Sequence, residues 1–293
     1  MTTGFTDIHC HGGGGFSFSD ANPENIATAI ATHKAHGTTT LIASLVTEPL
    51  EKIRQQITRL IPFVESGELA GIHLEGPYLS HAKCGAHDPA LLRMPSSNEI
   101  AELIDHGNGH IRMITIAPEL PGALDSIKTM VSRGVVAAIG HSDANFDEAQ
   151  AGIKAGATVV THMFNGLPAL DHRFATITNA VLLDSEIHLE VILDGTHVNK
   201  SAMQLLLELA QERIILITDA MSAAGGPEGQ YKIGELDVTV ANGVATLTKE
   251  GTLAGSTLTM DRAYERLMKD HGLNSDEAMH NASHLAKKVL NLK

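Results

Sequence analysis

Short apolar runs rich in Ile, Val, Leu and Ala recur along the chain, and amphipathic stretches separate most of them. The runs fall at 4–8, 38–44, 69–74, 111–117, 135–139, 158–161, 188–193 and 214–218. Helices are expected between them. Asn22-Pro23 offers an N-cap followed by proline at the first helical position, and Gly37 a stop. Further helical patterns cover 49–65, with Pro62 disturbing the last turn, then 124–132, 146–154 and 200–211. Eight strand-then-helix units predict a parallel (β/α)8 barrel of the TIM type, an α/β fold occupying residues 1–293 as one domain. After the eighth run the rhythm changes. Residues 231–249 alternate around Asn242-Gly243, a dipeptide suited to a type I′ turn, so a small β-hairpin insertion with a pocket loop is expected within 225–255. Helices at 258–270 and 275–290 close the chain.

Composition agrees with that architecture. The length, 293 residues, suits a barrel that typically takes ~250 residues. With no Trp and 3% aromatic residues, the core must be built from aliphatic layers. A net charge of -13 argues against nucleic acid or an anionic membrane as partner, and obliges any anionic substrate to find a local cationic pocket. Two cysteines, Cys10 and Cys84, make no disulfide framework, which favours a reducing cytoplasm. No charged-then-apolar leader and no run approaching ~20 apolar residues is found, so a chain that is neither exported nor membrane-spanning is expected.

The chemistry gathers at the ends of the runs. His9 and His11 are two apart on one strand, so their imidazoles share a face and can chelate a divalent metal, while Cys10 points away. Glu75, His141, His162, His197 and Asp219 end other runs. In a parallel barrel all these ends meet at the C-terminal rim, where catalytic groups collect. Taken singly, each has an ordinary explanation as a strand histidine, a loop carboxylate or a helix cap; their coincidence across six strands does not. One Glu and two His suit zinc or iron and leave a coordination position for water, whose pKa the ion lowers. A carboxylate opposite, Asp219, can take and return a proton, an arrangement suited to hydrolysis of an unactivated amide. His33, His36, His106, His110, His271, His280 and His284 read as solvated residues without a role. His73, two residues before Glu75, reads as packing.

These residues resemble the amidohydrolase superfamily. Finer motifs, in order along nearly the whole chain, resemble the N-acetylglucosamine-6-phosphate deacetylase family: His73-Leu-Glu-Gly-Pro77, Lys83-Cys-Gly-Ala-His87, Gly140-His-Ser-Asp-Ala144, Thr161-His-Met-Phe-Asn-Gly166, Asp194-Gly-Thr-His197, Thr218-Asp-Ala220 and Thr252-Leu-Ala-Gly-Ser-Thr257. The resemblance implies Glu75, His141 and His162 as metal ligands. His9 and His11 join them if a second ion is bridged by Glu75. Asp219 is implied as the proton donor and acceptor. It implies His87 near the acetamido group, Ala86 as a further substrate-binding position, Asn165, Gly166 and Arg173 on sugar and phosphate, His197 as another substrate contact, and Leu253, Ala254 and Gly255 lining the sugar pocket. A divalent metal, zinc or iron, one or two ions per subunit, is the implied cofactor. The implied substrate is a sugar phosphate, and the implied assembly a homodimer in which Arg173 can reach the neighbouring subunit. Family members usually carry a β-sandwich built from segments flanking the barrel. With the first strand at about Gly4 and the last residue Lys293, most of that sandwich is expected to be missing. Two alternatives stay open: an amidohydrolase acting on another N-acyl sugar, and a non-catalytic sugar-phosphate-binding protein. An intact Asp219 weighs against the second.

Overall fold

A computed structural model describes residues 4–292. Eight strands form one parallel sheet in sequence order. They are β1 (Phe5–Cys10), β2 (Thr38–Leu45), β3 (Gly71–Glu75), β4 (Ile111–Ile116), β5 (Val136–Ile139), β6 (Val159–Val160), β7 (His188–Ile192) and β8 (Ile214–Ile217). The sheet curls until β8 meets β1. At the C-terminal rim that seam is closed by hydrogen bonds from Asp219 N to His9 O (2.8 Å) and from His11 N to Ala220 O (2.8 Å). The expected barrel is therefore present, nearly closed.

Helices cover the outside: α1 (Pro23–Ala35), α2 (Leu50–Glu65), α3 (Ser97–His106), α4 (Ala123–Ser132), α5 (Phe146–Ala155), α6 (Ile177–Leu183), α7 (Lys200–Ala210) and α8 (Met260–His271). Their starts follow local chemistry. Asn22 accepts from Glu24 N ahead of Pro23, and Asn145 forms a reciprocal capping box with Glu148. Pro62 stays inside α2, three residues before its end; it lacks an N–H to donate into the preceding turn, but its own carbonyl still accepts from Ser66 N. Aliphatic side chains such as Ile114, Ile139, Val191 and Leu216 are fully buried between sheet and helices, which is where burial drives folding.

The region after β8 departs from the expected hairpin. It is a three-stranded antiparallel meander, β9 (Gly229–Ile233), β10 (Leu236–Ala241) and β11 (Val244–Leu247). Asn242 and Gly243 do form the second turn, both at positive φ (53° and 74°), but Gly234 makes an earlier turn that adds a strand. This sheet has its own small core of Ile233, Val238, Val240, Ala245 and Leu247, packed on Val46, Met221 and Ala254 from the barrel rim. The last expected helix is likewise interrupted: α9 (Ser275–Met279) widens into a π turn over His280–His284 before α10 (Leu285–Val289). The widening lets Asn281 Nδ2 donate to Gln211 O and Ile214 O (2.8 Å each) and Ser283 Oγ to Gly4 O (2.8 Å), which docks the segment under the barrel. No helix among the described residues is long and apolar enough to cross a membrane.

Candidate active site

A cavity of about 280 Å³ opens at the C-terminal rim. Every candidate site residue lines it except His9, Arg173 and Ala254. His9 lies one layer deeper, and Ala254 turns into the small core beside Val46 and Met221. Arg173 is exposed on the loop between β6 and α6, where its backbone N–H donates to Asp171 Oδ1. Among the described residues the lining contains no Lys or Arg.

The side chains expected to ligate a metal converge. Glu75 Oε1 lies 3.2 Å from His141 Nε2 and 3.0 Å from His162 Nε2, and these two nitrogens are 3.0 Å apart. Its other oxygen, Oε2, lies 3.2 Å from His11 Nε2, and Asp219 Oδ1 lies 3.2 Å from the same nitrogen. His9 Nε2 is 3.1 Å from His11 Nε2 and 3.5 Å from both Glu75 Oε1 and Asp219 Oδ1. Two ligand groups result, Glu75-His141-His162 and His9-His11-Glu75-Asp219, with Glu75 common to both.

The outer nitrogens identify what the inner ones offer. His141 Nδ1 faces Lys83 O (2.8 Å), His162 Nδ1 faces Asn165 O (3.1 Å) and His11 Nδ1 faces Ser44 O (3.2 Å). A carbonyl only accepts, so each Nδ1 carries a hydrogen, and Nε2 is the atom directed inward, where loss of its proton leaves a lone pair for an ion. His9 Nδ1 donates in the same way to Glu190 Oε2 (3.0 Å). Four imidazole lone pairs and two carboxylates packed at about 3 Å repel one another unless a cation sits among them. Protonation is the alternative. Burial alone would push His11 down, but hydrogen bonds to Asp219 and Glu75 raise it to about 9, and Glu75 and Glu190 likewise hold His9 well above its ordinary value. Burial would raise both carboxylates, yet the surrounding imidazoles keep Glu75 well below and Asp219 below the usual range. A set of this kind, rich in negative charge and N/O donors, fits a divalent ion.

His87 differs. Its Nδ1 accepts from Thr47 N (3.3 Å) and stands 2.9 Å from Thr47 Oγ1, so its hydrogen is on Nε2, directed toward the cavity 3.5 Å from Glu75 Oε2. Burial lowers His87 to about 4, so the ring is neutral at pH 7 and offers an N–H where its neighbours offer lone pairs. His197 is held by Asp194, whose Oδ2 lies 2.7 Å from its Nδ1.

The backbone at the strand ends is turned to aim these groups. His141 (φ 45°), His162 (φ 26°) and Asp219 (φ 48°) occupy the left-handed region, at a cost of roughly 1–2 kcal/mol each for a non-glycine residue. Gly166 (φ 61°) follows the His162 turn, and any side chain there would meet His141 Nδ1 at 2.9 Å.

Beneath the ligands runs a floor that the sequence showed only in part. His73 is fully buried, with Nδ1 2.9 Å from Ser44 Oγ and Nε2 2.8 Å from Thr115 Oγ1, which in turn contacts Thr161 Oγ1 at 2.9 Å. Its ring packs against that of His9. Burial holds it well below its ordinary value, so it stays neutral, in agreement with a packing role. Glu190, fully buried on β7, was not anticipated as part of the site, although a lone carboxylate inside the apolar run of residues 188–193 was a signal. The expectation for His33 is corrected. It is fully buried, with Nε2 2.9 Å from Gly12 O and 3.2 Å from Cys10 Sγ, because α1 presses that face onto β1.

No protein-family model matches the sequence. Curated relatives do. The chain is 37% identical over 284 residues to the N-acetylgalactosamine-6-phosphate deacetylase of Escherichia coli O157:H7, covering 95% of this chain and 75% of that one. It is 35% identical over 271 residues to the N-acetylglucosamine-6-phosphate deacetylase of Vibrio furnissii, covering 91% and 68%. Among solved structures, a mutant N-acetyl-D-glucosamine-6-phosphate deacetylase of Mycobacterium smegmatis in complex with N-acetyl-D-glucosamine-6-phosphate superimposes with a TM-score of 0.96 at 44% identity, over 99% of this chain and 77% of that chain. With that overlap of sequence and structure, the chain belongs to the N-acetylglucosamine-6-phosphate deacetylase family of barrel amidohydrolases.

Proposed function

We propose that the protein hydrolyses the acetamido group of N-acetylglucosamine 6-phosphate, releasing acetate and glucosamine 6-phosphate for amino-sugar catabolism. The observation that carries this reading is the facing of two kinds of group across one cavity: inward lone pairs on Glu75, His141 and His162, and a proton on His87 Nε2. Glu75, His141 and His162 would hold one divalent ion, zinc or iron. His9 and His11, with Glu75 shared and Asp219 beside them, would hold a second. A bound ion supplies a Lewis acid for the carbonyl oxygen and a water whose pKa lies near neutrality.

The chain's own groups do the rest. His87 donates its Nε2 hydrogen to the acetamido oxygen as negative charge develops there. Asp219, ionised at neutral pH, takes the proton of the attacking water and returns it to the amine nitrogen, without which an amine leaves poorly. Ala86, Leu253 and Gly255 shape the sugar pocket, with Ala254 behind them in the small core, and Asn165, Gly166 and His197 supply polar contacts to hydroxyls and phosphate. Arg173 would complete the phosphate site of a second copy in a homodimer; its exposed position, beside the exposed Leu170 and Phe174, supports that role. A cytoplasmic setting fits Cys10 and Cys84, which are unpaired thiols.

A second reading, N-acetylgalactosamine 6-phosphate as the preferred substrate, is favoured by the name of the Escherichia coli relative. Acetate release should be measured with both 6-phosphates and with unphosphorylated N-acetylglucosamine. Turnover of the glucosamine derivative, with at least tenfold loss when the phosphate is removed, is the expected result. Preference for the galactosamine derivative would establish the second reading, and no acetate from either 6-phosphate would overturn both.

A further inference from the structure

Beyond the ligands and polar contacts, the cavity has an apolar wall contributed by the small sheet. Ile233, the last residue of β9, is 8% exposed and lines the cavity; Ala86, beside His87, packs on the same small core. The next residue, Gly234 (φ 54°), sits on the end of β2, where an added Cβ would lie 3.5 Å from Val46 Cγ2 and 3.5 Å from Glu48 Oε1. Between those two residues is Thr47, the residue that holds His87 Nδ1. Ile233 thus stands on the His87 side of the cavity, away from Asn165 and Gly166, which follow His162. The turn is tied down: Lys52 Nζ lies 2.9 Å from buried Glu48 Oε1 and 2.6 Å from Glu235 Oε1.

The acyl carbon carries three substituents once bound. In the reading above its oxygen would face His87, and its nitrogen would lead to the sugar and to Asp219. Only the methyl is apolar, and burying it against a polar surface would gain nothing. Resting on the reading above, we propose that Ile233, with Ala86, forms the acyl-chain wall, and that its size restricts the enzyme to short N-acyl groups.

The test compares kcat/KM for N-acetyl- and N-propionylglucosamine 6-phosphate in the metal-loaded wild type, Ile233→Ala, Ile233→Val and Ile233→Leu. One methylene in an apolar pocket is worth about 10–200-fold in discrimination, so Ile233→Ala should raise the propionyl-to-acetyl ratio by about tenfold or more. Ile233→Val should raise it less, and the volume-conserving Ile233→Leu should leave it within about twofold. A ratio is insensitive to the fraction of each variant that folds. Binding gives an independent readout: in an Asp219→Asn background, calorimetry should show the Kd ratio of the two compounds moving in the same direction on Ile233→Ala. A wild type that deacetylates the acetyl substrate, with ratios unchanged in both Ile233→Ala and Ile233→Val, overturns the acyl-wall assignment alone. A wild type inactive on both 6-phosphates overturns the underlying reading, and this inference with it.

Discussion

At the scale of single residues, the site depends on which atom of each imidazole carries hydrogen. Lys83 O, Asn165 O and Ser44 O each fix an Nδ1–H and thereby free an Nε2. Glu190 does this for His9 through Oε2, so Glu190→Gln should weaken retention of an ion at the His9-His11 position by about 10–100-fold, read by competition with a chromogenic chelator. Unchanged retention would remove Glu190 from the metal centre. Asp219→Asn keeps the size of the side chain but cannot take a proton. Its kcat should fall by about 10²–10⁴-fold with substrate binding largely kept, and near-normal turnover would assign the proton transfer elsewhere. Most of these residues were legible because a histidine or carboxylate ending an apolar run is uncommon enough to notice. Glu190 and His33 were less legible. Each is made important by what faces it across the fold, Glu190 by His9 and His33 by Cys10, and a linear sequence does not display such partners.

At the scale of elements, strands announced themselves better than the helices between them. The hydrophobic runs gave all eight barrel strands, although β6 shrinks to Val159–Val160 because its chain leaves the sheet early to form the His162 turn. Helices α3 and α6 are expected from the strand-then-helix rhythm but without bounds: α3 follows a long excursion after Glu75, and α6 is a seven-residue segment too short to show a period. The alternation over 231–249 reads as a single hairpin about Asn242-Gly243, and the turn at Gly234, which divides it into a third strand, carries no dipeptide signal of that kind. Where capping chemistry is explicit, elements are expected to depend on it. Asn145→Ala deletes a capping box at α5 and should cost about 1 kcal/mol in urea unfolding with KM unaffected, since the residue is exposed and outside the cavity. A loss below a few tenths of a kcal/mol would show that α5 is held by packing alone.

For the whole molecule, acidity and metal binding are linked. The net charge of -13 surrounds a rim where carboxylates already attract positive charge, so protons and divalent ions compete for the same place. Without an ion His11 titrates near 9, holding its proton below that pH; as a ligand it must lose it. Ion uptake at pH 7 should therefore release at least one proton, seen as a buffer-dependent heat in calorimetry, and apparent affinity should climb with pH until about 9. Heat independent of the buffer would contradict this. The same negative field opposes a phosphorylated substrate, and with no Lys or Arg in the cavity lining among the described residues, a subunit alone has little to offset it.

The left-handed turn at His141 inverts a familiar ranking. In most helices and strands an alanine outlasts a glycine by roughly 0.5–1 kcal/mol, because glycine has more freedom to lose on folding. At His141 both replacements delete the imidazole equally, yet only glycine accepts the angle at no steric charge. Metal-free His141→Gly should therefore melt above metal-free His141→Ala, and the ordinary order would mean that the turn relaxes once its side chain is gone. Evolution held to catalysis must keep histidine where the backbone alone would favour glycine.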